Sequence, residues 1–161
     1  KAVNCEHPEN GNPCNKCQSC LGIESGGFLD VMELDAASNN GVDHVRALRD
    51  EAIYSPAQVK KRVYIIDEVH MLSIAAFNAL LKILEEPPEH TVFILTAENR
   101  AMLLPTILSR VQTIRLESLT PAEILPVLRE RCPDQPGEKL EWAAETADTI
   151  GQALALLAEG L

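Results

Sequence analysis

The hydrophobic pattern of the chain is centred on an apolar run that ends abruptly at two acids. Val63 to Ile66 carries no charged residue and is rich in β-branched and aromatic side chains, which predicts a strand buried on both faces. Asp67 and Glu68 follow directly. Buried parallel strands present functional groups at their carboxyl ends, where open α/β sheets bind ligands. The pattern therefore makes this acid pair a candidate functional site.

Strand and helix patterns alternate on both sides of this run. Residues 30–35 predict a strand, and the apolar spacing from Val42 to about Ile53 predicts a helix. A second amphipathic helix begins near Ser73 and ends before Pro87. Its apolar residues recur at positions i, i+3, i+4 and i+7, which are Phe77, Leu80, Leu81 and Leu84.

The alternation continues beyond Pro88. Residues 91–96 predict a strand, residues 103–108 a helix and residues 111–116 a further strand. Strands that alternate with helices indicate an α/β fold with a parallel sheet. Polar residues, among them Thr96, follow the 91–96 strand, so we expect Thr96 at the same sheet edge as Asp67 and Glu68.

Strand signals stop after residue 116. Thr120 and Pro121 form a helix start, and three short helices are predicted near 121–132, 138–147 and 151–159. We therefore divide the chain into an α/β domain over 1–116 and a small helical domain over 117–161.

The net charge of the chain bears on whether its partners are nucleic acids or proteins. The 14 Lys and Arg against 24 Asp and Glu give a net charge of −10, which argues against a chain that binds nucleic acid alone. The basic run Lys60-Lys61-Arg62 is expected to be a solvated strand entrance, with a phosphate or partner contact as the alternative. No apolar run approaches the roughly 20 residues of a membrane span, and no signal-peptide pattern is visible. A cytoplasmic protein with protein partners is expected.

Four of the five cysteines form a compact module over residues 5–20. Cys5, Cys14, Cys17 and Cys20 have the spacing C-x8-C-x2-C-x2-C, and such turns can close a structural Zn²⁺ site. An iron–sulfur site and unliganded thiols remain alternatives. Disulfides are not expected in a chain without secretory features. Cys132 stands apart and is interpreted as a structural or incidental thiol.

The acid pair suits a hard cation. Two carboxylates at a sheet edge can bind Mg²⁺ and polarise a water beside a phosphate. The alternative is that Asp67 and Glu68 only cap the helix that follows.

Several motifs resemble those of a known family. The segment VYIIDEVHML over 63–72, NALLK over 78–82 and LEEPPEH over 84–90 resemble bacterial DNA polymerase III clamp-loader subunits, which are AAA+ proteins. The segment DAASNNGVD over 35–43 and the four-cysteine insertion resemble the gamma/tau subunit in particular. The resemblance covers roughly residues 1–116.

This resemblance implies specific roles. Asp67 would support Mg²⁺ through its shell, and Glu68 would orient the water that attacks ATP. Ser109-Arg110-Val111 is similar to the family's Ser-Arg-Cys motif, so Arg110 would reach the ATP site of a neighbouring subunit. The alternative is a surface arginine placed by the helix dipole. Thr96 would be a tentative γ-phosphate sensor, and residues 117–161 would be the helical lid.

The chain departs from the family pattern in two places. The Walker A loop G-x-x-x-x-G-K-[ST] is absent from these 161 residues, so the chain is expected to be a partial AAA+ P-loop core that is inactive alone. Lys1 to Cys5 resembles the end of the helix after Walker A, which suggests an excised fragment. Residues 95–110 look more like the delta-prime subunit.

The resemblance implies a fragment of a clamp-loader subunit that takes part in ATP-driven loading of the sliding clamp onto primed DNA. Its expected partners are other clamp-loader subunits, the sliding clamp and the polymerase holoenzyme, with DNA contacted only through the assembly. One alternative is a delta-prime-like stator that donates Arg110 and never hydrolyses ATP. Another is a metal-dependent redox protein that shares only the fold.

Overall fold

Three parallel strands lie at the centre of the first of two structural units, Lys1–Thr113 and Ile114–Leu161. The structure, a computed structural model, describes residues 1–159, so the last two residues of the predicted 117–161 domain lie outside the described residues. The regular elements, in chain order, are α1 Gln18–Glu24, β1 Val31–Asp35, α2 Val42–Ala52, β2 Arg62–Asp67, α3 Ile74–Glu85, β3 Thr91–Leu95, α4 Pro105–Leu108, α5 Pro121–Arg131, α6 Gly137–Thr146 and α7 Ile150–Glu159.

The strand order is β1-β2-β3, and both pairings are parallel. The central strand β2 buries Val63, Tyr64 and Ile66, as expected for a strand with neighbours on both sides and helices against the sheet. The Tyr64 and Phe93 rings stack across β2 and β3 with centroids 5.4 Å apart. The prediction of an α/β fold on a parallel sheet is confirmed.

Helices α2 and α3 bury their apolar faces in the core of this unit. Val45 and Leu48 of α2, and Leu80 and Ile83 of α3, are almost fully buried. Ser73 ends the preceding turn, and its side chain accepts a hydrogen bond from the Ala76 backbone N–H at 3.2 Å. Helix α3 therefore has its own N-cap and begins where the pattern predicts.

Two predictions for residues 103–116 are wrong. The helix is only one turn, Pro105–Leu108, because proline sits at its first position and disfavours helical geometry in the residue before it. Residues 111–116 form no strand. A strand needs a hydrogen-bonded neighbour, and none of the described strands pairs with this segment, so Ile114 and Leu116 stay largely exposed.

The basic run Lys60-Lys61-Arg62, at the start of β2, is not uniformly exposed to solvent. Arg62 is only 7% exposed, and its guanidinium donates to Asp30 Oδ1 at 2.9 Å and to the Glu51 carbonyl at 2.6 Å. Asp30 Oδ2 also accepts the backbone N–H groups of Ala57 and Gln58 at 3.0 Å. Both members of the buried charge pair are thus hydrogen-bonded, as burial of ions requires.

The second unit consists of helices α5, α6 and α7 around a separate apolar core. Its most buried residues are Ile124 and Leu128 of α5, Leu140, Ala143 and Ala144 of α6, and Ala153 of α7. Glu123 accepts hydrogen bonds from the Thr120 backbone N–H at 2.8 Å and from Thr120 Oγ1 at 2.7 Å. These two hydrogen bonds between the N-cap residue and Glu123 stabilise the start of α5 where the Thr120-Pro121 signal predicts it.

Candidate functional site

The acid pair lies at the carboxyl edge of the sheet, next to Thr96. Strand β2 ends at Asp67, and β3 ends one residue before Thr96. The Thr96 hydroxyl donates to Asp67 Oδ1 and accepts the Glu68 backbone N–H at 3.1 Å. A single hydroxyl therefore connects the Asp67 carboxylate with the Glu68 backbone, and the three predicted residues of this edge come together.

The backbone at Glu68 has an unusual conformation. Its φ of 48° and ψ of 47° place it in the left-handed region, which costs a non-glycine residue about 1–2 kcal/mol. Only a single turn, Val69–Met71, follows it, and α3 is capped by Ser73. Asp67 and Glu68 therefore do not cap α3, and the capping interpretation of the pair is wrong. Strained residues of this kind concentrate at functional sites.

A third carboxylate, Asp35, ends the neighbouring strand. It stands opposite Asp67 in the register of β1 and β2. Hydrogen bonds from the Ser38 hydroxyl at 2.6 Å and the Ala37 backbone N–H at 2.8 Å lower the pKa of Asp35. Sequence reasoning did not select Asp35 as a site residue, although its position at a strand end was the available signal.

Arg110 has its polar partners within its own unit. Its Nη2 donates to Glu85 Oε1 at 2.7 Å, and its Nη1 donates to the Thr106 carbonyl at 2.8 Å and to Ser109 Oγ at 3.3 Å. The contact with Thr106, in the one-turn helix α4, is what a helix C-terminus offers a cation. The pairing with Glu85 was not foreseen, since 25 residues separate the two.

The four predicted cysteine ligands converge. The sulfurs of Cys5, Cys14, Cys17 and Cys20 all lie within 4.8 Å of one another. Tetrahedral coordination with Zn–S bonds of about 2.3 Å places sulfurs about 3.8 Å apart, so the cluster needs only a small contraction. All five cysteines of the chain are free, and Cys132 is not part of the cluster. The donor set fits a thiophilic cation.

Backbone N–H groups surround these sulfurs. Cys14 N–H donates to Cys5 Sγ at 3.2 Å, Cys17 N–H to Cys14 Sγ at 3.3 Å and Cys20 N–H to Cys17 Sγ at 3.4 Å. The hydrogen bond from Cys14 is the main reason that the pKa of Cys5 is lowered, and the hydrogen bond of the Glu6 backbone lowers the pKa of Cys17. Thiolates are the form that binds metal.

Cys20 differs from the other three thiols. Its side chain is completely buried, and burial raises its pKa to about 12. A buried thiolate without a compensating charge is unfavourable. A divalent cation would provide that charge, because coordination deprotonates a thiol outright. The cluster thus combines two thiols whose pKa is lowered with one whose pKa is raised, and a bound cation would favour the ionised form of all of them.

No helix among residues 1–159 is long and apolar enough to cross a membrane.

Comparison with known proteins shows the family of this chain. The family model described as DNA polymerase III, delta subunit, matches residues 1–120. The chain is 54% identical over 125 residues to the DNA polymerase III subunit tau of Bacillus subtilis, covering 78% of this chain and 22% of that protein. It is 48% identical over 124 residues to the Escherichia coli subunit tau, covering 77% of this chain and 19% of that protein. The chain thus spans about a fifth of the length of these relatives.

Solved structures show the same fold. A DNA polymerase III, gamma subunit-related protein from Thermotoga maritima aligns with a TM-score of 0.61 at 32% identity, covering 80% of this chain and 42% of that one. The RuvB Holliday junction branch migration motor of Thermotoga maritima aligns with a TM-score of 0.63 at 16% identity, covering 85% and 46%. The second likeness concerns the fold alone. The chain belongs to the DNA polymerase III delta-subunit family and has an AAA+ fold that aligns with part of a gamma subunit-related protein.

Proposed function

We propose that this chain is part of a gamma/tau-type clamp-loader subunit that takes part in ATP-driven loading of a sliding clamp onto primed DNA. The observation that carries the proposal is the Thr96 hydroxyl bridging Asp67 and the Glu68 backbone at the carboxyl edge of a parallel sheet. Identities of 54% and 48% to tau subunits support the gamma/tau assignment. Because the chain spans about a fifth of those proteins, the activity is proposed for a whole subunit and not for these 161 residues alone.

In this proposal, residues at the carboxyl edge of the sheet would bind Mg²⁺ and position the water that hydrolyses ATP. Mg²⁺, when bound, would neutralise charge on the β- and γ-phosphates. Asp67 would support the ion through its water shell, held in orientation by Thr96. Glu68 would align the attacking water and accept its proton. Thr96 would also serve as a sensor of the γ-phosphate.

The phosphate cradle would come from outside the 161 residues. Their sequence contains no Gly-Lys dipeptide, and a P-loop needs both its backbone N–H groups and its lysine to hold phosphates. We therefore infer that these residues alone do not bind ATP tightly and are inactive by themselves. Residues 117–161 would serve as the helical lid of the ATP site.

Arg110 would act in trans. Its guanidinium can stabilise the charge that develops on a transferred phosphoryl group at a neighbouring subunit's site. The partners would be the other clamp-loader subunits, the sliding clamp and the polymerase holoenzyme in the cytoplasm. Primed DNA would be reached only through the assembly, because a net charge of −10 opposes independent binding to phosphates.

The four cysteines would hold one structural Zn²⁺. The convergence of four sulfurs without an open ligand position supports a closed, non-catalytic site. A redox protein would leave the acid pair and Arg110 unexplained.

The second candidate is a delta-prime-like stator that donates Arg110 but does not hydrolyse ATP. Residues 95–110 favour it, since they look more like delta-prime than gamma/tau. Both candidates predict a loss of ATP turnover by the assembly when the Arg110 side chain is removed. Only the gamma/tau-type subunit, which hydrolyses ATP itself, needs Glu68.

The test is ATP turnover by the full-length protein assembled with its partner subunits. Glu68→Gln is expected to lower turnover by about 100-fold or more, the usual contribution of general acid–base catalysis. Glu86→Gln, an exposed acid at the end of α3, is the matched control and should not change turnover. If Glu68→Gln behaves like this control while Arg110→Ala abolishes turnover, the stator is correct. If neither substitution changes turnover, both candidates are wrong.

A further inference from the structure

Arg110 is held by a carboxylate that the proposed ATP chemistry does not otherwise use. The Glu85 Oε1 atom lies 2.7 Å from Arg110 Nη2, which is the short distance of a charge-assisted hydrogen bond. On the other side, Arg110 Nη1 donates to the Thr106 carbonyl at 2.8 Å. The guanidinium is therefore fixed at two of its nitrogens, by groups from two different helices.

The two anchoring groups belong to well-defined parts of the unit. Glu85 is the last residue of α3, a helix with six buried residues. Helix α4 packs near it through Ile107, which is completely buried. The groups that hold Arg110 are thus the Glu85 side chain and the Thr106 carbonyl, both on helices that are anchored in the core. The neighbouring acid Glu86 is exposed and makes no side-chain hydrogen bond among the described residues.

The pair remains accessible. The Arg110 side chain is 31% exposed and the Glu85 side chain 49% exposed. A guanidinium has five N–H donors, so contacts through two nitrogens leave the Nε–H and at least one further N–H for an anion. Exposed ion pairs contribute little to stability. The geometry is therefore better suited to orientation than to holding the fold together.

We propose that Glu85 is a positioning residue that orients Arg110 toward the phosphoryl group bound by a neighbouring subunit. The proposal rests on the proposed role of Arg110 in trans. A guanidinium that is already oriented loses less freedom when it meets the transition state, so the benefit appears in turnover and not in substrate binding. Removing the charge of Glu85 weakens the contact at Nη2 and leaves Arg110 held mainly through Nη1, by the Thr106 carbonyl and the Ser109 hydroxyl, so that its guanidinium can take other orientations.

The test is a double-mutant cycle in the full-length protein assembled with its partner subunits. We compare Glu85→Gln, Arg110→Ala, the double variant and the control Glu86→Gln, measuring kcat and KM for ATP together with the melting temperature. Arg110→Ala is expected to lower kcat by roughly 10³-fold or more. Glu85→Gln is expected to lower kcat about 10-fold, with KM and melting temperature close to those of the control.

The double variant distinguishes positioning from a separate role. If Glu85 acts only through Arg110, then Glu85→Gln has no further effect in the Arg110→Ala background. Additive losses would overturn the proposal. A kcat equal to that of Glu86→Gln would also overturn it, and so would an increase in kcat, which would show that Glu85 holds Arg110 away from the phosphoryl group. If Arg110→Ala itself leaves kcat unchanged, the role in trans is wrong and the positioning role falls with it.

Discussion

The Asn4 side chain pairs with both backbone polar groups of Lys61. Its Nδ2 donates to the Lys61 carbonyl at 2.8 Å, and its Oδ1 accepts the Lys61 N–H at 2.8 Å. Asn4 is 1% exposed. The neighbouring residues Lys60 and Cys5 also pair, since the Lys60 ammonium donates to the Cys5 carbonyl at 2.9 Å. The cysteine cluster is therefore attached to the entrance of β2, the strand that carries Asp67.

Asn4→Ala should destabilise the first unit through this attachment. The substitution leaves the backbone N–H and carbonyl of Lys61 without their partner in a poorly hydrated place, and an unsatisfied group of this kind costs about 1–3 kcal/mol. We expect the free energy of unfolding to fall by about 2 kcal/mol, measured by urea titration. Asn78→Ala on the exposed face of α3 is the control and should stay within about 0.5 kcal/mol. Equal effects of the two substitutions would contradict the attachment.

Metal content should distinguish a zinc site from an iron–sulfur site and from unliganded thiols. Elemental analysis is expected to give one equivalent of zinc and a colourless protein, because four thiolates complete a structural site. Cys17→Ser should lose the metal and lower the melting temperature by about 10 °C, corresponding to about 3 kcal/mol. Cys132→Ser, outside the cluster, should keep both. Iron with visible absorption, or no metal in the unmodified protein, would contradict the zinc prediction.

Thr96→Val should impair the acid pair without unfolding the sheet. The substitution keeps the shape of the side chain but removes the hydroxyl that contacts Asp67 Oδ1 and the Glu68 N–H. We expect ATP turnover of the assembled full-length protein to fall about 10-fold, because misplaced catalytic groups lose part of their advantage. Thr113→Val, at an exposed position, is the control. Unchanged turnover in Thr96→Val would argue against any role of this hydroxyl in the chemistry.

The stability of the helical unit should depend on pH through Glu123. Hydrogen bonds from the Thr120 backbone and hydroxyl lower the pKa of Glu123. Its stabilising contribution is therefore present above the ordinary glutamate pKa of about 4.3 and is lost as the pH falls through the lowered value. Urea titrations at pH 7 and pH 3 should show Glu123→Gln less stable than the unmodified protein at pH 7, with the difference smaller at pH 3.

Glu130→Gln, near the other end of α5, is the comparison for this pH effect. It lies at an exposed position and should show little change in the difference between the two pH values. A gap between Glu123→Gln and the unmodified protein that widens at pH 3 would mean that the capping carboxylate does not stabilise the helix.

Much of the fold and of the site was accessible from local patterns. The apolar run of β2, the amphipathic repeat of α3 and the Thr120-Pro121 start of α5 are short-range signals, because burial and capping act over a few residues. The rule that parallel strands end at one edge brought Thr96 next to Asp67 and Glu68. The spacing of the four cysteines was sufficient to predict their convergence. The motifs in residues 63–90 identified the family.

Only the tertiary structure decided the contacts between distant parts of the chain. The pairing of Glu85 with Arg110, that of Asn4 with Lys61 and the burial of Arg62 against Asp30 join residues 25, 57 and 32 positions apart. No local periodicity encodes such pairs, since each depends on how packed elements bring side chains together. The predicted strand over 111–116 failed for the same reason. Alternating side chains describe a strand's faces, but a strand forms only where another backbone satisfies its hydrogen bonds.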